Sequence, residues 1–345
     1  MELTRDLMLD QESRMLVSSV AEFREQVIDG SAREMDEFPS SGVIEKAWKS
    51  AASLGLVSAL LGEGSGGQGM DIYSFCLALT EVARGCAGFA ALLLVHNLAL
   101  WALEAASQEA DEALTGGEAR VTMAWPVKEA GGTARAEFVP GLTGAAACVL
   151  PLAGGGLCRV APGCEGVTIE GIEAPMGLRA SRPASLVVES AGGAVVGDLN
   201  GKRDELEGCL LLGIAALSLG LARHAFEGAR EYARERYQAG DYIINHQQIR
   251  LMLAGMVVGI EAGDASLRQA ATAGGCALHL PASRAAKVLA CDRAVSATLD
   301  GIQVHGGYGY MRDYGMEVLL RDAKYCQSYP RSPQEEMLDL VKPAD

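Results

Sequence analysis

Residues 300–334 read DGIQVHGGYGYMRDYGMEVLLRDAKYCQSYPRSPQ. The stretch opens as the end of an apolar helix and passes through a glycine loop from His305 to Tyr310. It then becomes a second helix from about Asp313 to Gln327. Glycines at 306, 307 and 309 let the backbone approach a bound group more closely than a Cβ permits. Successive N–H groups in such a loop form a concavity suited to phosphate. The same glycines also suit a tight turn between helices, and the loop alone leaves both readings standing.

Upstream, Leu206 to Arg236 reads as one long helix, with Gly213, Ala216 and Gly220 in a small-residue stripe that permits close packing against another helix. Gln247 to Ala270 and Ala282 to Leu299 supply two more helices, and with the Asp313 helix they make a four-helix bundle. Between Ala119 and Leu199 the runs are short and bounded by glycine, proline or polar residues, the pattern of an antiparallel β domain. Ahead of it, Leu16, Val20, Phe23 and Val27 recur at helical spacing. Further helices are expected around Trp48, from Ile72 to Arg84 and from Phe89 to Ala106, with Gly62 to Gly69 as a loop. The expected fold class is α+β, with a helical domain over 1–118, a β domain over 119–200 and a helical bundle over 201–345.

Hydrophobic residues make up 49% of the 345 and charged residues 21%, a globular composition. A net charge of −15 argues against a nucleic-acid partner, while leaving room for one local basic site. The nine cysteines form no C-x-x-C pair and read as core residues of a reduced, cytoplasmic protein. The N-terminal decapeptide lacks a basic region followed by an apolar run, so no secretory signal is expected. The apolar run from Phe89 to Leu103 is short for a bilayer and contains His96 and Asn97, so it reads as a buried helix. No histidine spacing recommends a metal.

Gln303, Gly306, Gly307 and Gly309, followed by Arg321-Asp322-Ala323-Lys324, resemble the C-terminal signature of the acyl-CoA dehydrogenase family. The order of helices, strands and helical bundle is similar too, as are Gly66-Gly67-Gln68-Gly69 and Met176 to Ser181. The resemblance implies the acyl-CoA dehydrogenase-like fold, an acyl-CoA thioester as substrate, and FAD as cofactor. It further implies that the glycine loop reaches the FAD of a neighbouring subunit. Arg236 and Gln247 fall on FAD-contact positions of the family, and Ser332 and Gln334 fall where it places polar residues near the flavin. Arginine suits a diphosphate through paired charge-assisted hydrogen bonds, although Arg236 also suits a helix C-terminus.

The departures are equally informative. Where the family has Tyr-Glu-Gly-Thr, this chain has Tyr329-Pro330-Arg331-Ser332, so a proline holds the place of the catalytic glutamate. Some members carry the base on the long helix instead, and that position is Leu210, beside Leu211. Glu207, one turn earlier, is the nearest substitute, and it also reads as a solvated acid in a first helical turn. The segment Ala124 to Ala130 lacks the hydroxyls that the family sets around the flavin ring, and Phe138 to Gly141 is similarly changed. Trp125 suits either ring stacking or the core.

Two readings follow. One is an FAD-linked dehydrogenase subunit that lacks its own base and acts in a heterotetramer with a related subunit, with a homo-oligomer as the other assembly and an electron-transfer flavoprotein downstream. The other is a non-catalytic structural or CoA-thioester-binding protein.

Overall fold

The computed structural model describes residues 8–39, 41–109, 111–189, 193–272 and 278–341. The first seven residues of the N-terminal decapeptide, and Cys276 among the cysteines, lie outside the described residues. The eight described cysteines are all free.

Helix α1 (Gln11–Phe23) begins where the Asp10 carboxylate accepts the Ser13 N–H at 2.8 Å. Helices α2 (Ala32–Glu37) and α3 (Val43–Ser53) follow, then α4 (Ile72–Ala105), capped by Asp71. Two helices were expected in the α4 region, and one continuous run with a kink is found. Its break lies at Cys86, with φ −152° and ψ 105°. The kink lets Gly88 lie against the backbone of Ala180, where a Cβ would come within 2.8 Å of the Ala180 methyl. A short helix α5 (Glu112–Thr115) leads into the strands.

The strands are β1 (Val121–Met123), β2 (Lys128–Ala130), β3 (Thr133–Val139), β4 (Ala147–Pro151), β5 (Gly156–Val160), β6 (Val167–Gly171), β7 (Ala184–Glu189) and β8 (Ala194–Asp198). They form two four-stranded sheets, ordered β1-β4-β5-β8 and β2-β3-β7-β6. Ala136, Val139 and Leu186 from one sheet share a core with Cys148, Leu150 and Cys158 from the other. The antiparallel expectation fails at one pair: β1 and β4 run parallel, Val121 facing Ala147. Between them the chain leaves for the second sheet to form β2 and β3, and a crossover of that kind permits parallel return.

Helix α6 (Arg203–Glu235) opens the last part, followed by a small hairpin of β9 (Tyr237–Gln238) and β10 (Asp241–Tyr242). Helices α7 (Gln247–Thr272), α8 (Leu280–His305) and α9 (Met316–Ser328) complete the bundle, and α10 (Pro333–Leu340) adds a helix that the sequence reading lacked. Helix α9 starts three residues later than expected because Gly315 sits at φ +65°.

The small-residue stripe of α6 lies on α4. A Cβ at Gly220 would come within 2.6 Å of the Thr80 carbonyl, and one at Gly213 would strike Leu94. Both helices are long and apolar enough to cross a membrane, and 94% of the most apolar window of each is buried inside the protein. They are core helices packed against each other. The Arg-Asp pair of the C-terminal signature holds the three parts together. Arg321 on α9 pairs with Asp36 on α2 at 2.7 Å and donates to the Met176 carbonyl at 2.8 Å. Asp322 accepts the Leu178 N–H at 2.7 Å, and burial pushes its carboxyl up to about 7 against that hydrogen bond.

His96, on α4, joins that helix to β1 and α5. Its Nδ1 accepts the Val121 N–H at 3.0 Å, which leaves Nε2–H to donate to the Leu114 carbonyl at 3.2 Å. Burial lowers its pKa to about 4, so the neutral ring contributes stability that is complete above 6.5 and lost as pH falls toward 4. We expect wild type to lose about 3 kcal/mol relative to His96→Gln across that window, at 1.36 kcal/mol per unit. Urea unfolding of both proteins between pH 4 and pH 7.5 measures this, and a pH-independent difference refutes it.

Candidate functional site

Two clefts contain the residues that the sequence singled out. The first, of about 530 Å³, lies where the end of α6, the start of α7 and the glycine loop meet. Arg236, Gly306, Gly307, His305 and Tyr308 line it. Arg236 closes α6, its N–H on the Tyr232 carbonyl at 2.9 Å, and then turns into extended backbone. Its guanidinium is exposed, lies 5.7 Å from the Tyr308 ring, and reaches only the neutral Gln238 side chain at 3.3 Å. No carboxylate among the described residues forms an ion pair with it, so its charge is available to an anion.

The loop glycines divide by cause. Gly309 is fixed by packing, since a Cβ there would strike the Ile302 carbonyl. Gly306 has φ +59° and ψ −133°, a conformation that side chains disfavour. Gly307 has nothing within 4 Å of a Cβ, so internal packing does not explain it, and its open side belongs to the cleft. His305 is stacked on Tyr232 at 4.4 Å and donates from Nδ1 to the Gly301 carbonyl at 2.8 Å. Its Nε2 is then a bare acceptor, and burial lowers the ring's pKa. Gln247 and Gln303 are exposed and outside this lining.

The second cleft, of about 500 Å³, lies between the sheets and the end of α9. Pro126, Phe138, Tyr329 and Pro330 converge on it, bringing together the segments that the resemblance assigns to the flavin ring and the base. A flavin ring's polar edge needs donors there. Pro126, Pro175 and Pro330 have no N–H, and the Tyr325 hydroxyl is already given to the Phe138 carbonyl. The donors that remain are the Ser328 hydroxyl, the buried Tyr329 hydroxyl, which has no partner among the described residues, and Lys128 and Lys324 at the rim. They are compatible with a ring's polar edge, while the carboxylate of the lining, Glu137, is held by Arg135 at 3.1 Å. Trp125 is a core residue at 2% exposure, with the Arg203 guanidinium 4.4 Å from its ring.

The N-terminal domain of acyl-CoA dehydrogenases matches residues 10–114, and the C-terminal domain matches residues 212–330, together more than half of the chain. The chain belongs to the acyl-CoA dehydrogenase family. An acyl-CoA dehydrogenase of Bacillus subtilis is 29% identical over 374 aligned positions, covering 96% of this chain and 97% of its own. The butyryl-CoA dehydrogenase of Megasphaera elsdenii superposes with a TM-score of 0.82 at 22% identity, covering 99% of this chain and 98% of that one. The Tcur3481-Tcur3483 steroid ACAD does so with a TM-score of 0.81, also at 22% identity, covering 96% of each chain. At these identities the two structures bear on the fold alone.

Measured against the acyl-CoA dehydrogenase positions, neither base site holds a carboxylate. Leu210 and Leu211 are fully buried. Glu207 is not the solvated acid that its place in the helix implies. It is 7% exposed, and its Oε1 accepts from Arg284 Nη2 at 2.6 Å. Arg284 also donates to Glu336 at 2.6 Å and Asp339 at 2.9 Å, and Arg331 binds the same two carboxylates. Burial raises the Glu207 pKa, and Arg284 opposes the rise. Lys287, fully buried, donates to the carbonyls of Gln327 at 3.0 Å and Arg331 at 2.8 Å, fixing the chain on both sides of Pro330. Ser332 is the N-cap of α10, in a capping box with Glu335, and Gln334 is exposed in the same first turn. Local helix chemistry accounts for Ser332. Among the described residues no group of histidine, cysteine and carboxylate side chains is placed to hold a metal.

Sequence reasoning missed Arg284, Lys287 and Glu336. The only signal was charged residues at 284 and 287, one turn apart in a run of otherwise small and apolar residues from Leu280 to Cys291. Replacing Arg284 with Met leaves buried Glu207 without its partner and Arg331 alone to hold Glu336 and Asp339, so we expect a loss of about 3–5 kcal/mol. The loss should be smaller at pH 5 than at pH 8, because protonation neutralises the unpartnered carboxylate. Denaturant unfolding at the two pH values gives the comparison.

Proposed function

We propose that this chain is the base-deficient subunit of a heteromeric acyl-CoA dehydrogenase. It completes the FAD site of a related subunit that carries the glutamate. The observation that carries the reading is the contrast between the two clefts: one offers an arginine with no ion pair among the described residues and an open glycine loop, and the other has Pro330 where the resemblance puts the base and a lining carboxylate, Glu137, already held by Arg135. Arg236 would hold the diphosphate of the dinucleotide and Gly306 and Gly307 would admit its close approach, with His305 Nε2 accepting from a ribose hydroxyl or the adenine amine. FAD, when bound, accepts the hydride removed from the β-carbon of the acyl-CoA thioester.

Geometry supports service to a neighbour. Leu210 and Arg236 are 26 residues apart (236 − 210) along one helix and its C-cap, about 39 Å at 1.5 Å per residue. A dinucleotide held at Arg236 does not reach the Leu210 end of the same chain. The partner would then supply the ring site and the general base, worth about 10²–10⁴-fold in rate. An α₂β₂ assembly with fewer flavins than subunits follows, with an electron-transfer flavoprotein as the natural acceptor of its electrons.

Purified alone, the chain should show no turnover of acyl-CoAs with an artificial electron acceptor, and co-expression with its partner should restore both flavin and turnover. Within that complex, Arg236→Ala in this chain should weaken FAD retention about 10–100-fold, the worth of a charged hydrogen bond. Robust turnover by the homomeric protein, or unchanged flavin content in the variant complex, overturns the proposal.

A further inference from the structure

The cleft between the sheets and α9 is a formed site. Strand β3 bulges between Ala136 and Val139, and Phe138 takes φ +54°. The Tyr325 hydroxyl holds the Phe138 carbonyl from across the cleft, so this wall is set by the backbone. Phe138 and Met176 leave 49% and 58% of their surfaces exposed at the rim, an apolar area with no cover of its own. Tyr325, Tyr329 and the prolines continue the apolar lining inward.

The charge at the rim is opposite to that of the protein. Lys128, Arg135 and Lys324 face one carboxylate, Glu137, which Arg135 already binds at 3.1 Å. Lys324 donates only to the neutral Gln327 side chain, at 2.8 Å. Glu335 lies within the field of Lys128, but its carboxylate is engaged by Ser332. Neither lysine forms an ion pair among the described residues, although the chain carries a net charge of −15. Two uncompensated cations on an apolar cleft focus potential on one spot.

From this juxtaposition we infer that the cleft binds a compact amphiphilic anion: a ring-sized hydrocarbon body against Phe138, Tyr325 and Tyr329, with a carboxylate or sulfonate at Lys128 and Lys324. Its volume of about 500 Å³ suits one small molecule. The inference does not depend on the subunit role proposed above, since it uses neither Arg236 nor the glycine loop.

The test titrates the full chain with 1-anilinonaphthalene-8-sulfonate, followed by fluorescence, and competes it with 1-naphthoate, neutral 1-naphthalenemethanol and riboflavin. We expect naphthoate to displace the probe at concentrations about tenfold lower than the alcohol, the factor that 1.4 kcal/mol of charge attraction supplies. K128E/K324E should weaken probe and naphthoate alike, and Phe138→Glu should remove binding, with circular dichroism confirming that both variants fold. Equal competition by the alcohol, displacement by riboflavin as effective as by naphthoate, or binding unchanged in folded K128E/K324E overturns the inference.

Discussion

The close approach of α4 and α6 is the constraint on which the other parts depend. Gly220 admits the Thr80 carbonyl and Gly213 admits Leu94, so two apolar helices meet nearly backbone to backbone. Once they do, His96 on α4 fixes where β1 attaches, and α6 sets the separation of its own ends. Glu207 and Leu210 are near one end and Arg236 is at the other. Neither cleft could keep its place if a methyl group forced these helices apart.

The Arg-Asp-Ala-Lys signature acquires a physical meaning from this arrangement. Arg321 and Asp322 touch no candidate ligand site through their charges. They reach α2 and the turn before β7. A buried carboxyl raised to about 7 is an expensive way to hold a turn, and it is tolerated because the Leu178 N–H has no other partner. Recurrence of such a motif in a family is therefore a statement about assembly of the fold as much as about cofactor binding.

The order of elements, the glycine loop and the α6 stripe were legible in the sequence because each is written in local spacing. What failed was nonlocal. Glu207 pairs with Arg284, 77 residues away, and Arg284 in turn holds Glu336, on a helix that the reading did not contain. The parallel pairing of β1 with β4 depends on a detour through another sheet, which leaves no trace in strand composition. Ser332 is different: Ser332 to Glu335 spells a capping box, and the signal was present but assigned to the flavin. The kink at Cys86 was half visible, since the two expected helices bracketed the break.

Lys287 grips main-chain oxygens, not side chains, on both sides of Pro330. Neither bond involves the side chain at 330, so the segment is anchored to α8 through its backbone.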